Sequence, residues 1–206
     1  MHKEILSQEQ QGLFPLLQKF QGEFGLVGGT AIALHLGHRR SIDYDLFSDK
    51  EFRNISLERD IRGVVGIERV LINRGGELTF VSDGVKVTFF QYPFHIPFDK
   101  DFDGMIRLPE LLTLAAMKAF AVGKRAKWKD YVDIYFLLKD HYSLKDIAIR
   151  SKEIFGSEFN EKIFRTQLSY FDDINYDEGV EFMPGFSVDK ETIKSELVRM
   201  SLGESI

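Results

Sequence analysis

Strand-like runs of apolar residues are confined to the first 92 residues of this chain. From Pro109 onward every apolar segment recurs at helical spacing. That asymmetry argues against an extended doubly wound sheet, which would alternate strands and helices throughout. It predicts an α+β fold: a small mixed sheet flanked by helices, followed by a helical C-terminal half.

The early part reads as follows. Ile5–Phe20 carries apolar residues at Leu6, Leu13, Leu16, Leu17 and Phe20, an amphipathic helix interrupted near Gly12. Phe24–Val27 is a short apolar run that ends at Gly28-Gly29. Thr30–Leu36 is a helix that Gly37 stops. Ser56–Val65 has helical spacing. Val70–Asn73, Leu78–Ser82 and Val85–Tyr92 read as strands, with Asp83-Gly84 as a hairpin turn. Residues 93–107 are expected to form a loop. Helices follow at Pro109–Gly123, Lys129–Asp140, Ser143–Phe155, Ser157–Phe171 and Asp189–Leu202, with Ser143, Ser157 and Asp189 as N-caps. Asp172–Ser187 is acidic, aromatic and irregular. The expected division is a core over residues 1–104 and a helical region over 105–206.

The 206 residues carry a net charge of −5, which excludes a globally basic nucleic-acid coat but leaves room for a local basic face. The absence of cysteine excludes a disulfide framework, a thiolate zinc site and a cysteine nucleophile. The polar start, MHKEILSQEQQG, is unlike a signal peptide. No segment approaches the roughly 18 apolar residues of a membrane span. The expectation is a cytoplasmic protein with no membrane partner.

Three pieces carry chemistry. At Val27-Gly28-Gly29-Thr30 a strand ends and a helix begins, which is either a plain turn or a phosphate cradle of backbone N–H groups. In Ser41-Ile42-Asp43-Tyr44-Asp45-Leu46, strand alternation places Asp43 and Asp45 on one face. They are either solvated turn residues or a carboxylate pair holding a hard cation, Mg²⁺ or Mn²⁺. Lys118 lies in the otherwise apolar LLTLAAMKAFAV, where it either snorkels or finds a carboxylate; Asp130 and Asp133 open the next helix. Lys124, Arg125, Lys127 and Lys129, beside Trp128, make a basic, partly aromatic edge that suits a polynucleotide or simply solvent. His35 and His38, three apart with no third ligand nearby, read as one packed and one exposed residue rather than a shared metal site. His38-Arg39-Arg40 meets phosphate or merely balances the acids that follow.

In combination, an apolar residue, Gly-Gly, a spacer of 13 residues (Thr30 to Ile42) and Asp-apolar-Asp-apolar resemble the DNA-polymerase-β-like nucleotidyltransferase superfamily. More narrowly, VGGTAIALHLGHRRSIDYDLF followed by MKAFAVGKRAKWKDYVDIYFLL resembles the AbiEii/AbiGii toxin-type nucleotidyltransferases, over roughly Phe24 to Leu138. The resemblance implies a nucleotidyltransferase core in the α/β half, with the helical half completing an active-site cleft. It implies that Gly28, Gly29, Thr30 and Ser41 bind the nucleotide and that Asp43 and Asp45 hold catalytic Mg²⁺ (or Mn²⁺). Lys118 would contact the triphosphate and Asp130 would complete the polar site, with Asp133 the second choice. The implied reaction moves a nucleoside monophosphate from an NTP to an RNA (tRNA) end or a protein hydroxyl. The implied setting is a toxin–antitoxin or phage-defence pair with a cognate antitoxin protein.

One departure is visible. The superfamily usually places a third carboxylate on a following strand, whereas Val85-Lys86-Val87-Thr88-Phe89-Phe90 contains no acid. Asp83 and Glu77 are the nearby substitutes. The departure keeps two alternatives open: a degenerate enzyme that binds nucleotide or a partner without turnover, and a transferase acting on a small molecule.

Overall fold

The computed structural model describes residues 1–203. The chain forms two units, Met1–Glu110 and Leu111–Ile206. The first contains, in order, α1 (Gln8–Gly12), α2 (Phe14–Phe20), β1 (Gly25–Val27), α3 (Gly28–Leu36), β2 (Tyr44–Ser48), α4 (Asn54–Arg62), β3 (Arg69–Arg74), β4 (Glu77–Ser82), β5 (Val85–Gln91), β6 (Lys100–Phe102) and β7 (Ile106–Leu108). The strands make one mixed sheet in the order β3-β4-β5-β2-β1-β7-β6. The β3–β4–β5 meander is antiparallel, β2 joins β5 in parallel, and β1 runs antiparallel to β2 and parallel to β7.

One expectation holds and one changes here. The interruption near Gly12 separates two helices that meet at Leu13, with Pro15 in the first turn of α2. A proline has no N–H to lose there. The loop over 93–107 contains β6 and β7. Phe102, Ile106 and Leu108 are buried, and β7 finds its partner in β1, about 80 residues earlier by the Gly25–Arg107 pairing.

Alternation along β2 and β5 separates two faces. Tyr44, Leu46, Val87 and Phe89 point into the core with Leu78 and Phe80 of β4, among Leu13, Leu16, Leu17 and Phe20. Phe89 anchors it, with ring centroids 4.9 Å from Phe24 and 5.1 Å from Phe20, both edge-on. The opposite face of the same strands carries Asp45, Phe47, Lys86, Thr88 and Phe90, all half-buried.

The second unit is helical: α5 (Leu111–Val122), α6 (Trp128–Asp140), α7 (Leu144–Phe155), α8 (Glu161–Gln167) and α9 (Lys190–Ser201). Leu114, Ile134, Leu137, Ile147, Phe164, Ile193 and Leu197 fill its core. Ser143 caps α7 in a reciprocal capping box with Asp146, and Asp189 caps α9. Ser157 does not cap a helix. It lies in a single 3₁₀ turn, Gly156–Glu158, and Asn160 caps α8, accepting from the Ile163 N–H at 3.2 Å. The buried Phe159 between them needs the extra turn to reach the core. Among the described residues no helix is long and apolar enough to cross a membrane.

Candidate functional site

In the first unit the chain leaves β1 at Val27 and turns at Gly28, whose φ is +73°. That conformation favours glycine, and a Cβ there would run into the Asp45 carboxylate. The carboxylate is held against the turn because β1 and β2 pair Val27 with Asp45. Gly29 is constrained as well: a Cβ there would meet the Arg39 guanidinium and Ser41 Oγ. The Gly-Gly pair, Asp45 and Arg39 therefore converge at the start of α3.

Thr30 and Ser41 shape this turn. Thr30 Oγ1 lies 2.9 Å from Ser41 Oγ and donates to the Asp43 carbonyl. Both side chains are buried. From the other side, Gln10 Nε2 donates to the Ser41 carbonyl at 2.8 Å, and Tyr44 Oη donates to the Gln10 carbonyl at 3.1 Å. The segment before β2 is thus tied to both α3 and α1. This fixes where Asp43 leaves the backbone.

Asp43 meets a residue that sequence reasoning did not assign to the site. Lys86 Nζ donates to Asp43 Oδ2 at 2.7 Å. The parallel register pairs Tyr44 with Val87 and Asp45 with Thr88, so Lys86 and Thr88 share the face of the two aspartates. One strand further, Thr79 lies opposite Thr88 and Glu77 opposite Phe90. Glu77 Oε2 is engaged by Arg74 through two bonds of 2.8 and 2.6 Å. Asp83 is exposed in the hairpin turn.

Arg39 is a second residue outside the assigned set. Its side chain is buried beside Gly29, and Nη1 donates to the Arg40 carbonyl at 2.9 Å. The run His38-Arg39-Arg40 was the visible signal for it, but only the fold brings Arg39 back to the glycines. His35 Nε2 lies 3.2 Å from the Pro109 carbonyl. Burial keeps its pKa below the ordinary histidine value.

The remaining two assigned residues lie in the second unit. Lys118 Nζ is 2.7 Å from Asp130 Oδ1 and 2.9 Å from Asp133 Oδ2, and all three side chains are at most 5% exposed. Arg125 Nε donates to Asp130 Oδ2 at 3.1 Å. Both aspartates, not Asp130 alone, partner the buried Lys118, and Arg125, which is half exposed, adds a second cation at the edge of the cluster. Burial opposes ionisation of Asp130, yet the charges of Lys118 and Arg125 hold its carboxyl below the ordinary carboxylate range.

The basic edge is answered within its own unit. Lys127 and Lys129 both pair with Glu178, the former at 2.7 Å, and Lys124 faces Glu158 at 3.9 Å. Burial of Glu178 is outweighed by its bonds to the two lysines, and its pKa falls to about 2. The 172–188 segment is tied down at the same place. Trp128 N–H donates to the Asn175 carbonyl at 3.0 Å, and Trp128 packs against Tyr176 at 5.5 Å. Lys190 Nζ sits 3.9 Å over the Tyr176 ring.

Asp45, on β2 against the Gly28 turn, and Asp43, just before the strand, carry hard oxygen donors. Two carboxylates completed by water and phosphate oxygens are a common Mg²⁺ donor set, so the residues present fit such a cation. Among the described residues there is no cluster of three or more histidine, aspartate or glutamate side chains. The remainder of a metal's shell would therefore come from water or substrate.

Comparison with known proteins identifies the family. Residues 16–182 match the family described as "Nucleotidyl transferase AbiEii toxin, Type IV TA system". An uncharacterized protein of Aquifex aeolicus (strain VF5) is 33% identical over 157 residues, which cover 73% of this chain and 75% of that protein. Two solved structures share the fold. JHP933 from Helicobacter pylori is 18% identical, with a TM-score of 0.58 over 96% of this chain and 92% of that one. MenT4, a nucleotidyltransferase toxin from Mycobacterium tuberculosis H37Rv, is 15% identical, with a TM-score of 0.62 over 96% and 82%. With its glycine turn, its paired aspartates and a match spanning most of its length, this chain belongs to the AbiEii nucleotidyl transferase toxin family.

Proposed function

We propose that this protein transfers a nucleoside monophosphate from an NTP to a hydroxyl on an RNA end, with tRNA the first acceptor to test and a protein side chain the second. One observation carries the reading: Asp45 stands against the Gly28 turn, with Asp43 two residues before it in the chain. This arrangement supports a reading in which N–H groups of the turn bind phosphate and the carboxylates bind a cation. A bound Mg²⁺ or Mn²⁺ would neutralise phosphate charge and lower the pKa of the attacking hydroxyl.

The chain's own groups do the rest. Backbone N–H groups at Gly28 and Gly29 cradle the triphosphate, and the Arg39 guanidinium lies behind them. Thr30 and Ser41 hold the turn in shape through their mutual bond. The acceptor oxygen attacks the α-phosphorus, the bond to the bridging oxygen breaks, pyrophosphate leaves, and the acceptor's proton passes to solvent. The family resemblance further assigns Lys118 to the departing charge; within its own unit this lysine is held by Asp130 and Asp133. The proposed setting is a cytoplasmic toxin with a cognate antitoxin protein.

The test is incubation with each α-labelled NTP, Mg²⁺ and bulk tRNA, beside an Asp43→Ala/Asp45→Ala double variant. Label on RNA from the wild type alone supports the reading and identifies the nucleotide. Label on protein redirects the acceptor. Binding of NTP without transfer to any acceptor in a whole-cell lysate overturns turnover and leaves a binding protein, the reading that the missing third carboxylate favours.

A further inference from the structure

We infer that an arginine-lined groove at the rim of the sheet, apart from the paired aspartates, holds single-stranded RNA. The inference rests on the RNA-acceptor reading above and names where the strand behind the reacting end is bound. The groove is a cavity of about 640 Å³ in the first unit, lined by Phe52, Arg53, Ile55 and Arg59 at the start of α4 and by Asn73 and Arg74 at the β3–β4 turn. Its two walls are tied together: Asn54 Nδ2 donates to the Arg74 carbonyl at 2.8 Å and to the Glu77 carbonyl at 2.9 Å. The groove is therefore built before any ligand arrives.

Charge selects the occupant. Residues 53–74 carry five arginines and no lysine, against Glu58, Asp60 and Glu68. Arg62 is taken by Glu58 and Arg74 by Glu77. Arg53 is exposed and, among the described residues, makes no ion pair. Arg59 is 77% exposed and meets only its neighbour Asp60, through Nε at 3.2 Å. The lysines of the 124–129 edge, by contrast, are answered by Glu158 and Glu178. A guanidinium fork matches two phosphate oxygens. Phe52, packed edge-on against Phe24 at 5.4 Å, adds an aromatic surface for a base. Forked cations beside an aromatic ring suit a single strand, whose bases are unstacked. Phe47 stands two residues beyond Asp45, and Glu77 lies two strands across from it. The groove is thus removed from Asp45 by roughly 7 Å along the strands and roughly 10 Å across them. It holds phosphates behind the attacking hydroxyl, not the hydroxyl itself.

The test is fluorescence anisotropy of a fluorescein-labelled single-stranded RNA with the full-length protein, without metal or nucleotide. Two phosphate contacts, at Arg53 and Arg59, predict a slope of log affinity against log salt of about −1.4. Arg53→Gln/Arg59→Gln is expected to weaken binding at least about tenfold at low salt and to flatten that slope. Lys124→Gln/Lys127→Gln removes the same charge from the edge that carboxylates already answer, and is expected to change affinity less than about twofold. A dichroism melt of each variant confirms folding. Unchanged affinity in the groove variant, or equal weakening by both pairs, would overturn the inference. Polyglutamate bound through the two arginines, with no RNA bound, would overturn it in favour of an acidic protein segment. Label transfer to RNA without any groove effect counts against this inference alone. Groove binding of RNA without transfer to any acceptor upholds the groove and counts against the proposed function alone.

Discussion

At Gly28 a single methyl group is enough to disturb the site. A non-glycine residue at φ +73° costs about 1 kcal/mol or more from backbone strain, and its Cβ would displace the Asp45 carboxylate. Gly28→Ala is therefore expected to lose about 1–2 kcal/mol in urea unfolding and nearly all transfer activity. A variant that transfers label at the wild-type rate would contradict the placement of Asp45. The Lys118 cluster makes a different demand. Asp133→Asn removes one of the two carboxylates on the buried Lys118 but leaves Asp130 to pair with it, so the expected loss in equilibrium unfolding is that of one charge-assisted hydrogen bond, about 1–3 kcal/mol. Asp130 adds a pH dependence. Its folded pKa lies below the value of 3.8 taken for the unfolded chain. Its stabilisation is thus fully present above that value and is lost as the pH falls through the folded pKa. The stability gap between wild type and Asp130→Asn should therefore narrow as the pH drops below about 3.8.

At the scale of elements, the helix caps are separable from the site. Ser143→Ala and Asp189→Ala should each cost about 1 kcal/mol and leave Mn²⁺ binding unchanged. These caps were legible because each is a short polar residue directly before an apolar-periodic run. Ser157 shows where that signal misleads: two polar candidates flank the buried Phe159, and tertiary packing chooses Asn160. The paired aspartates were legible for a similar reason, since period-two alternation needs only neighbouring residues. Strands β6 and β7 were not legible. Each has three residues; they pair antiparallel with each other, and β7 joins the sheet through β1. Nor was the Lys86–Asp43 bond, which depends on the register of two strands some 40 residues apart. At the sheet edge, β3 exposes Val70, Leu71 and Ile72, but a register shift between Val70 and Ile72 and arginines at both ends disfavour pairing with another chain.

For the whole molecule, charge distribution sets the expectation for an RNA acceptor. The net charge is −5, and Lys124, Arg125, Lys127 and Lys129 each face a carboxylate of the same chain. Few phosphates can then be neutralised, and salt dependence follows that number. The KM for tRNA should rise less than about tenfold between 50 and 200 mM salt. A steeper rise in a salt titration of initial rates would mean that these pairs open to the polyanion. The family assignment was legible because its glycines, aspartates and later lysine keep their order and spacing along the chain. The charge balance around Lys118 was only partly so, because Arg125 and Asp133 join it through folding.

Trp128, the sole tryptophan, is buried in the helical unit beside Tyr176. Its indole is thus a built-in optical reporter for one half of the molecule, while backbone dichroism reads both. A melt followed by the two signals at once would time the loss of the helical unit against that of the whole, with no label attached.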